Sequence, residues 1–103
     1  EKSKEYENIP AVFTADMNVK EGSKNYKEIA DNSIFKDTKY IAENVYDYIT
    51  YHDRFPEEHP DSVIDYCFAN EGFKAITYCV VTKSPSEYYV SDHFPVYTDL
   101  IFK

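Results

Sequence analysis

The chain has 103 residues, 43% of them apolar and 17% aromatic, which suffices for one hydrophobic core and excludes a two-domain organisation. Eleven Tyr and seven Phe against two Gly exclude a disordered or low-complexity chain, since such chains are poor in aromatic residues. Eleven basic against nineteen acidic residues leave a formal charge of −8, so this chain carries no basic nucleic-acid-binding surface.

Residues 1–8 are charged and poor in turn formers, and read as the tail of a helix or linker. Residues 9–16, IPAVFTAD, are short, apolar and β-rich, with Pro10 suited to a strand start or edge, and predict a buried strand ending at Asp16. A turn follows through Asp16, Met17 and Asn18. Ser23 then caps a helix whose Tyr26, Ile29 and Ala30 recur at the spacing of one buried face, ending near Asn32. Residues 37–44 predict a shorter helical turn opened by Asp37 or Thr38, and residues 45–51 return to a β-rich composition. Residues 52–61, with two prolines among charged neighbours, describe a loop.

The two strongest strand signals are residues 62–69 and 73–82. Asn70, Glu71 and Gly72 join them, a three-residue connection that predicts a β-hairpin with Gly72 in a left-handed conformation. In that hairpin Cys67 faces about residue 75, which puts Cys79 roughly 13 Å away at ~3.3 Å per residue, too far to bridge. Both cysteines are therefore expected to be reduced. After the loop at 83–87 come a short strand at Tyr88–Val90 and a last strand over 94–102. No apolar run approaches the roughly 20 residues that span a bilayer.

Polar groups at strand ends or inside apolar strands are the candidates for chemistry, because burying an ionised group costs several kcal/mol unless it is paired or metal-bound. Three such places occur. Asp16 and Asn18 lie at the end of the first strand, where they either converge on a ligand or form an Asx turn that ends the strand. Asp65 sits between Ile64 and Tyr66 within a strand, facing either a site or solvent. Asp92 and His93 stand side by side between two strand-like runs. His52, Arg54 and His59 in the 52–61 loop are either substrate contacts or solvated loop residues.

Taken in order, Thr14-Ala15-Asp16-Met17-Asn18, Ile64-Asp65-Tyr66-Cys67-Phe68 and Ser91-Asp92-His93-Phe94-Pro95-Val96 resemble the last three motifs of the endonuclease/exonuclease/phosphatase superfamily, the DNase-I-like metal-dependent hydrolases. That family writes them G-D-F-N, I-D-Y-I-F and S-D-H-x-P-V. Ala15 and Met17 depart from the pattern at positions of backbone shape and packing. The resemblance runs from about Val12 to Phe102. The family's amino-terminal motifs, including an Asn and a metal-binding Glu, have no counterpart here.

The resemblance implies that residues 1–103 are the carboxyl-terminal part of a single domain. The implied fold is α/β (α+β): a mostly antiparallel sheet of about five strands with one or two helices on one face, half of a four-layer DNase-I-like sandwich. It implies metal-dependent hydrolysis of phosphodiester or phosphomonoester bonds, with this stretch inactive alone. A non-catalytic binding or structural module on the same scaffold is the alternative, and structural Ca²⁺ binding is disfavoured because no D-x-D-x-D-G loop occurs.

By resemblance, Asp16 orients or deprotonates the attacking water and Asn18 donates to a phosphoryl oxygen. His93 contacts the phosphate or acts as general acid/base, and Asp65 bonds its other nitrogen to fix tautomer and orientation. Asp92, with Asp16, is expected to hold Mg²⁺, Mn²⁺ being the other option. The expected partners are a phosphate-ester substrate and, over the sheet face left uncovered, either the missing amino-terminal half or a second copy in a homodimer.

Overall fold

A computed structural model of the chain describes residues 9–83 and 91–103. The two expectations at 1–8 and 88–90 lie outside those residues. Among the described residues, six strands divide between two three-stranded sheets. The first has the order β1 (Val12–Asp16), β4 (Asp65–Ala69), β2 (Lys36–Asp37) and is antiparallel throughout. The second has the order β3 (Asn44–Tyr46), β5 (Phe73–Val80), β6 (Val96–Phe102), with β3 parallel and β6 antiparallel to β5.

Local signals place the helices. The Ser23 side chain accepts from the Tyr26 N–H at 3.2 Å and caps α1 (Lys24–Ala30). The Asp37 side chain accepts from the Lys39 N–H and caps α2 (Thr38–Ile41). Tyr26 carries α1 onto the first sheet, its ring 5.1 Å from that of Tyr66 and 5.9 Å from that of Phe68. Its hydroxyl donates to buried Asp37 at 2.8 Å. A second buried cluster, Ile49, Tyr78, Val80 and Phe94, sits on the other sheet. Thr38, buried, ties the two sheets together: its hydroxyl bonds the Cys67 carbonyl on β4 and the Thr98 hydroxyl on β6, both at 2.9 Å.

The expected hairpin between 62–69 and 73–82 does not form. β4 has β1 on one side and β2 on the other, so β5 finds no free edge there and passes into the second sheet. Asn70 is a buried staple. Its Oδ1 accepts from the N–H groups of Ala11 and Gly72, and its Nδ2 donates to the Ile9 carbonyl. Gly72 does not adopt a positive φ; it is required because Pro10 crosses so closely that a Cβ would lie 2.5 Å from the Pro10 Cα. Cys67 and Cys79 are free, as expected, although they occupy different sheets and not one hairpin.

β1 is less buried than its apolar composition predicts. It pairs on one side only, and Val12 and Phe13 are exposed. Val45, Tyr97, Ile101 and Phe102 are exposed as well. No helix among the described residues is long and apolar enough to cross a membrane.

Candidate active site

β1 ends where the sequence turns polar. Asp16 Oδ1 accepts from the Asn18 N–H at 3.0 Å, an Asx turn that holds Asn18 at φ 54°, a left-handed conformation Asn tolerates. Asp16 stands opposite Asp65 in the β1–β4 register, which brings the two carboxylates to the same end of the sheet. Asp65 is the first residue of β4 and not a mid-strand one.

The Ser91–Phe94 segment arrives from the other side. Ser91 Oγ accepts from the His93 N–H at 3.1 Å. The His52 N–H donates to the Asp92 carbonyl at 2.9 Å and the Phe94 N–H to the Thr50 carbonyl at 2.7 Å, so Tyr51 and His93 face each other as an antiparallel bridge. Their rings meet edge-on at 5.1 Å, and the His59 ring also meets that of Tyr51 edge-on, at 5.2 Å.

These elements converge on one imidazole. His93 Nδ1 lies 2.8 Å from Asp65 Oδ2, while Nε2 lies 3.7 Å from Asp16 Oδ2 and 3.8 Å from Asp92 Oδ1. Donor atoms of Asp16, Asp65 and His93 all fall within 4.8 Å of one another. Burial pulls the His93 pKa down, but the hydrogen bond to Asp65 and the charges of Asp65, Asp16 and Asp92 outweigh it and hold the imidazole above its usual range. With Nδ1 committed to Asp65, Nε2 is the nitrogen that faces outward. A cleft of about 430 Å³ borders the pair of carboxylates, lined by Thr14, Ala15, Asp16, Asp65 and Pro95 among others.

Four of the five residues singled out in the sequence, Asp16, Asp65, Asp92 and His93, thus come together through their side chains. Asn18 joins through its backbone turn, with its side chain exposed. The loop residues divide. His52 is fully buried with its ring 4.3 Å from Phe94, its Nδ1 accepting from the Arg54 N–H at 2.8 Å, so it is neither a solvated loop residue nor a surface contact. Burial pushes its pKa down. Arg54 is exposed on a turn in which it and Asp53 both have positive φ, 66° and 48°. Thr50 and Tyr51 border the site without having been singled out.

Two three-stranded sheets, one antiparallel and one mixed, with an acid–imidazole cluster at their strand ends, have the architecture of a DNase-I-like half-sandwich. Comparison with solved structures gives that class its members. The chain superposes on a mannosyl-6-phosphatase of Bacteroides thetaiotaomicron with TM-score 0.80 and 29% identity, covering 98% of this chain and 43% of that one. An endonuclease/exonuclease/phosphatase family protein of the same organism matches at TM-score 0.80 and 27% identity over 99% of this chain and 42% of that one. One from Bacteroides vulgatus matches at 0.81 and 32% over 93% and 38%. The chain carries the fold of endonuclease/exonuclease/phosphatase family proteins and spans about two fifths of their length. No family model and no curated protein matches the sequence.

Proposed function

We propose that these residues form the carboxyl-terminal portion of the active site of a divalent-cation-dependent phosphoesterase. The observation that carries the reading is the single imidazole bonded to Asp65 on one nitrogen and approached by Asp16 and Asp92 on the other. Asp65 accepts from Nδ1–H, which fixes the tautomer and turns Nε2 toward the substrate position. The neighbouring carboxylates raise the His93 pKa and so favour the imidazolium, whose Nε2–H donates to a phosphoryl oxygen. Asp16 Oδ2 receives the proton of the attacking water, its other oxygen being held by the Asn18 N–H. The Asn18 amide is an exposed donor for a phosphoryl oxygen.

The donor set fits a hard cation. Asp16 and Asp92 each bring a carboxylate oxygen close to His93 Nε2, at 3.7 and 3.8 Å, and Asp16 also shares a cluster of possible ligand atoms with Asp65 and His93; one or two carboxylates are what usually hold Mg²⁺. Charge favours the same conclusion: three carboxylates around one imidazolium leave the cluster negative, so an anionic phosphate needs a cation to approach. A bound Mg²⁺ or Mn²⁺ would neutralise phosphoryl charge and activate water. The substrate class is a phosphomonoester or phosphodiester, and the likeness to a mannosyl-6-phosphatase makes a hexose 6-phosphate the first compound to try. The rest of the matched domain's length, or a second copy, covers the exposed Val12, Phe13, Tyr97 and Ile101. The 103 residues alone are expected to be inactive.

The test is phosphate release by the intact protein from a hexose 6-phosphate and from bis-(p-nitrophenyl) phosphate. We expect turnover with Mg²⁺, loss with EDTA and restoration by Mg²⁺ or Mn²⁺, and loss in His93→Asn. Turnover that survives both EDTA and His93→Asn would sink the reading, and absence of turnover with metal bound favours a non-catalytic module.

A further inference from the structure

Thr50 is fully buried, and it bonds Asp65 on one side and Phe94, the neighbour of His93, on the other. Its Oγ1 accepts from the Ile64 N–H at 2.9 Å and the Asp65 N–H at 3.2 Å, which uses both lone pairs of the hydroxyl. The hydroxyl proton turns to the Ser62 carbonyl at 3.4 Å, which also accepts from the Thr50 N–H at 2.9 Å. On the other side, the Thr50 carbonyl accepts from the N–H of Phe94, the residue after His93, at 2.7 Å.

We infer that Thr50 is the positioning residue of the pair. One side chain fixes where Asp65 begins β4, and the same residue's peptide fixes where His93 leaves its turn. The inference rests on reading Asp65 and His93 as the catalytic pair. The need for such a residue follows from the sheet. β2 reaches only Phe68 and Ala69, so the Asp65 end of β4 has no strand on that side, and the Thr50 hydroxyl is the acceptor its amides find. Valine has nearly the shape of threonine without the acceptor, whereas serine keeps the acceptor without the methyl group.

The test is steady-state kinetics of the intact protein with Mg²⁺ and a phosphomonoester. Groups that orient a site through a neighbour are worth about 10- to 100-fold, so Thr50→Val should lose that much in kcat with KM little changed, and Thr50→Ser should stay near wild type. In an Asp65→Asn background Thr50→Val should have no further effect on kcat, because its target is gone; a merely structural role would cost the same factor in both backgrounds. A far-downfield NMR signal of the hydrogen-bonded His93 Nδ1 proton should persist in Thr50→Ser and vanish in Thr50→Val. That readout needs no turnover, so it separates failure of this inference from failure of the phosphoesterase reading. Should Thr50→Val not fold, Thr50→Cys, a weaker acceptor of similar size, carries the same comparison. Wild-type kcat and signal without the acceptor, equal losses in both backgrounds, or a Thr50→Ser variant as impaired as Thr50→Val overturns the inference.

Discussion

Replacing the Asp65 carboxylate by an amide of the same shape isolates what the 2.8 Å bond to His93 does. Asp16 and Asp92 remain at 3.7 and 3.8 Å from the other nitrogen, so part of the favourable field on the imidazole survives. What is lost is one charge-assisted hydrogen bond, worth about 1.5–3 kcal/mol. At 1.36 kcal/mol per decade that corresponds to about 10- to 150-fold in kcat. The side chains are 27% and 20% exposed, and water screening places the expected loss in the lower half of that range. The assay is kcat of Asp65→Asn in the intact protein across pH, with circular dichroism to show that the fold is kept. The limb that reports protonated His93 should also move to lower pH, because the largest of the raising influences has been removed. Wild-type kcat with an unmoved limb would refute the assignment of Asp65 to His93.

Two further outcomes concern stability. His93 has a folded pKa above its unfolded value, so its contribution is fully present below about pH 6.5 and lost as pH rises through the raised value. The Tm difference between wild type and His93→Gln, measured without metal, should therefore shrink from acid to alkaline pH, and a difference that grows would contradict it. Tyr26→Phe removes the hydroxyl that donates to buried Asp37 and leaves that carboxylate with the Lys39 amide among its donors. A cost of about 1–3 kcal/mol in urea unfolding is expected, and a neutral effect would mean that water replaces the hydroxyl.

The readable parts of this protein were those in which chemistry and backbone agree locally. Ser23 and Asp37 cap the helices because a side-chain oxygen three or two residues ahead of an amide does so in almost any context. Asp16, Asp65, Asp92 and His93 stood out because charged groups interrupt apolar runs, and the register of β1 and β4 then brings two of them face to face. The partition of strands between sheets was not readable. A turn of Asn-Glu-Gly carries the signature of a hairpin, and only the occupancy of both edges of β4 decides otherwise. Gly72 likewise answers to the approach of Pro10, which is 62 residues away and invisible to turn statistics. The charged neighbours of His52 suit either a substrate contact or a solvated loop residue, whereas the backbone bond to Asp92 draws it inside. Composition does not single out Thr50, because a threonine in a β-rich run is the expected residue.

The passage of β5 into the second sheet has a kinetic consequence. β1 waits for β4 across some fifty residues, β3 for β5 across about thirty, and no tight hairpin among these strands can form early and template the rest. Chain-closure entropy is thus spent before the pairings that repay it, the regime of slow folding. The carboxylates and the imidazole, contributed by strand ends far apart in sequence, become neighbours only when both sheets have docked. The edge-on contact of Tyr51 and His93, followed by NMR after dilution from denaturant, would then lag behind secondary structure and report the arrival of the native topology itself.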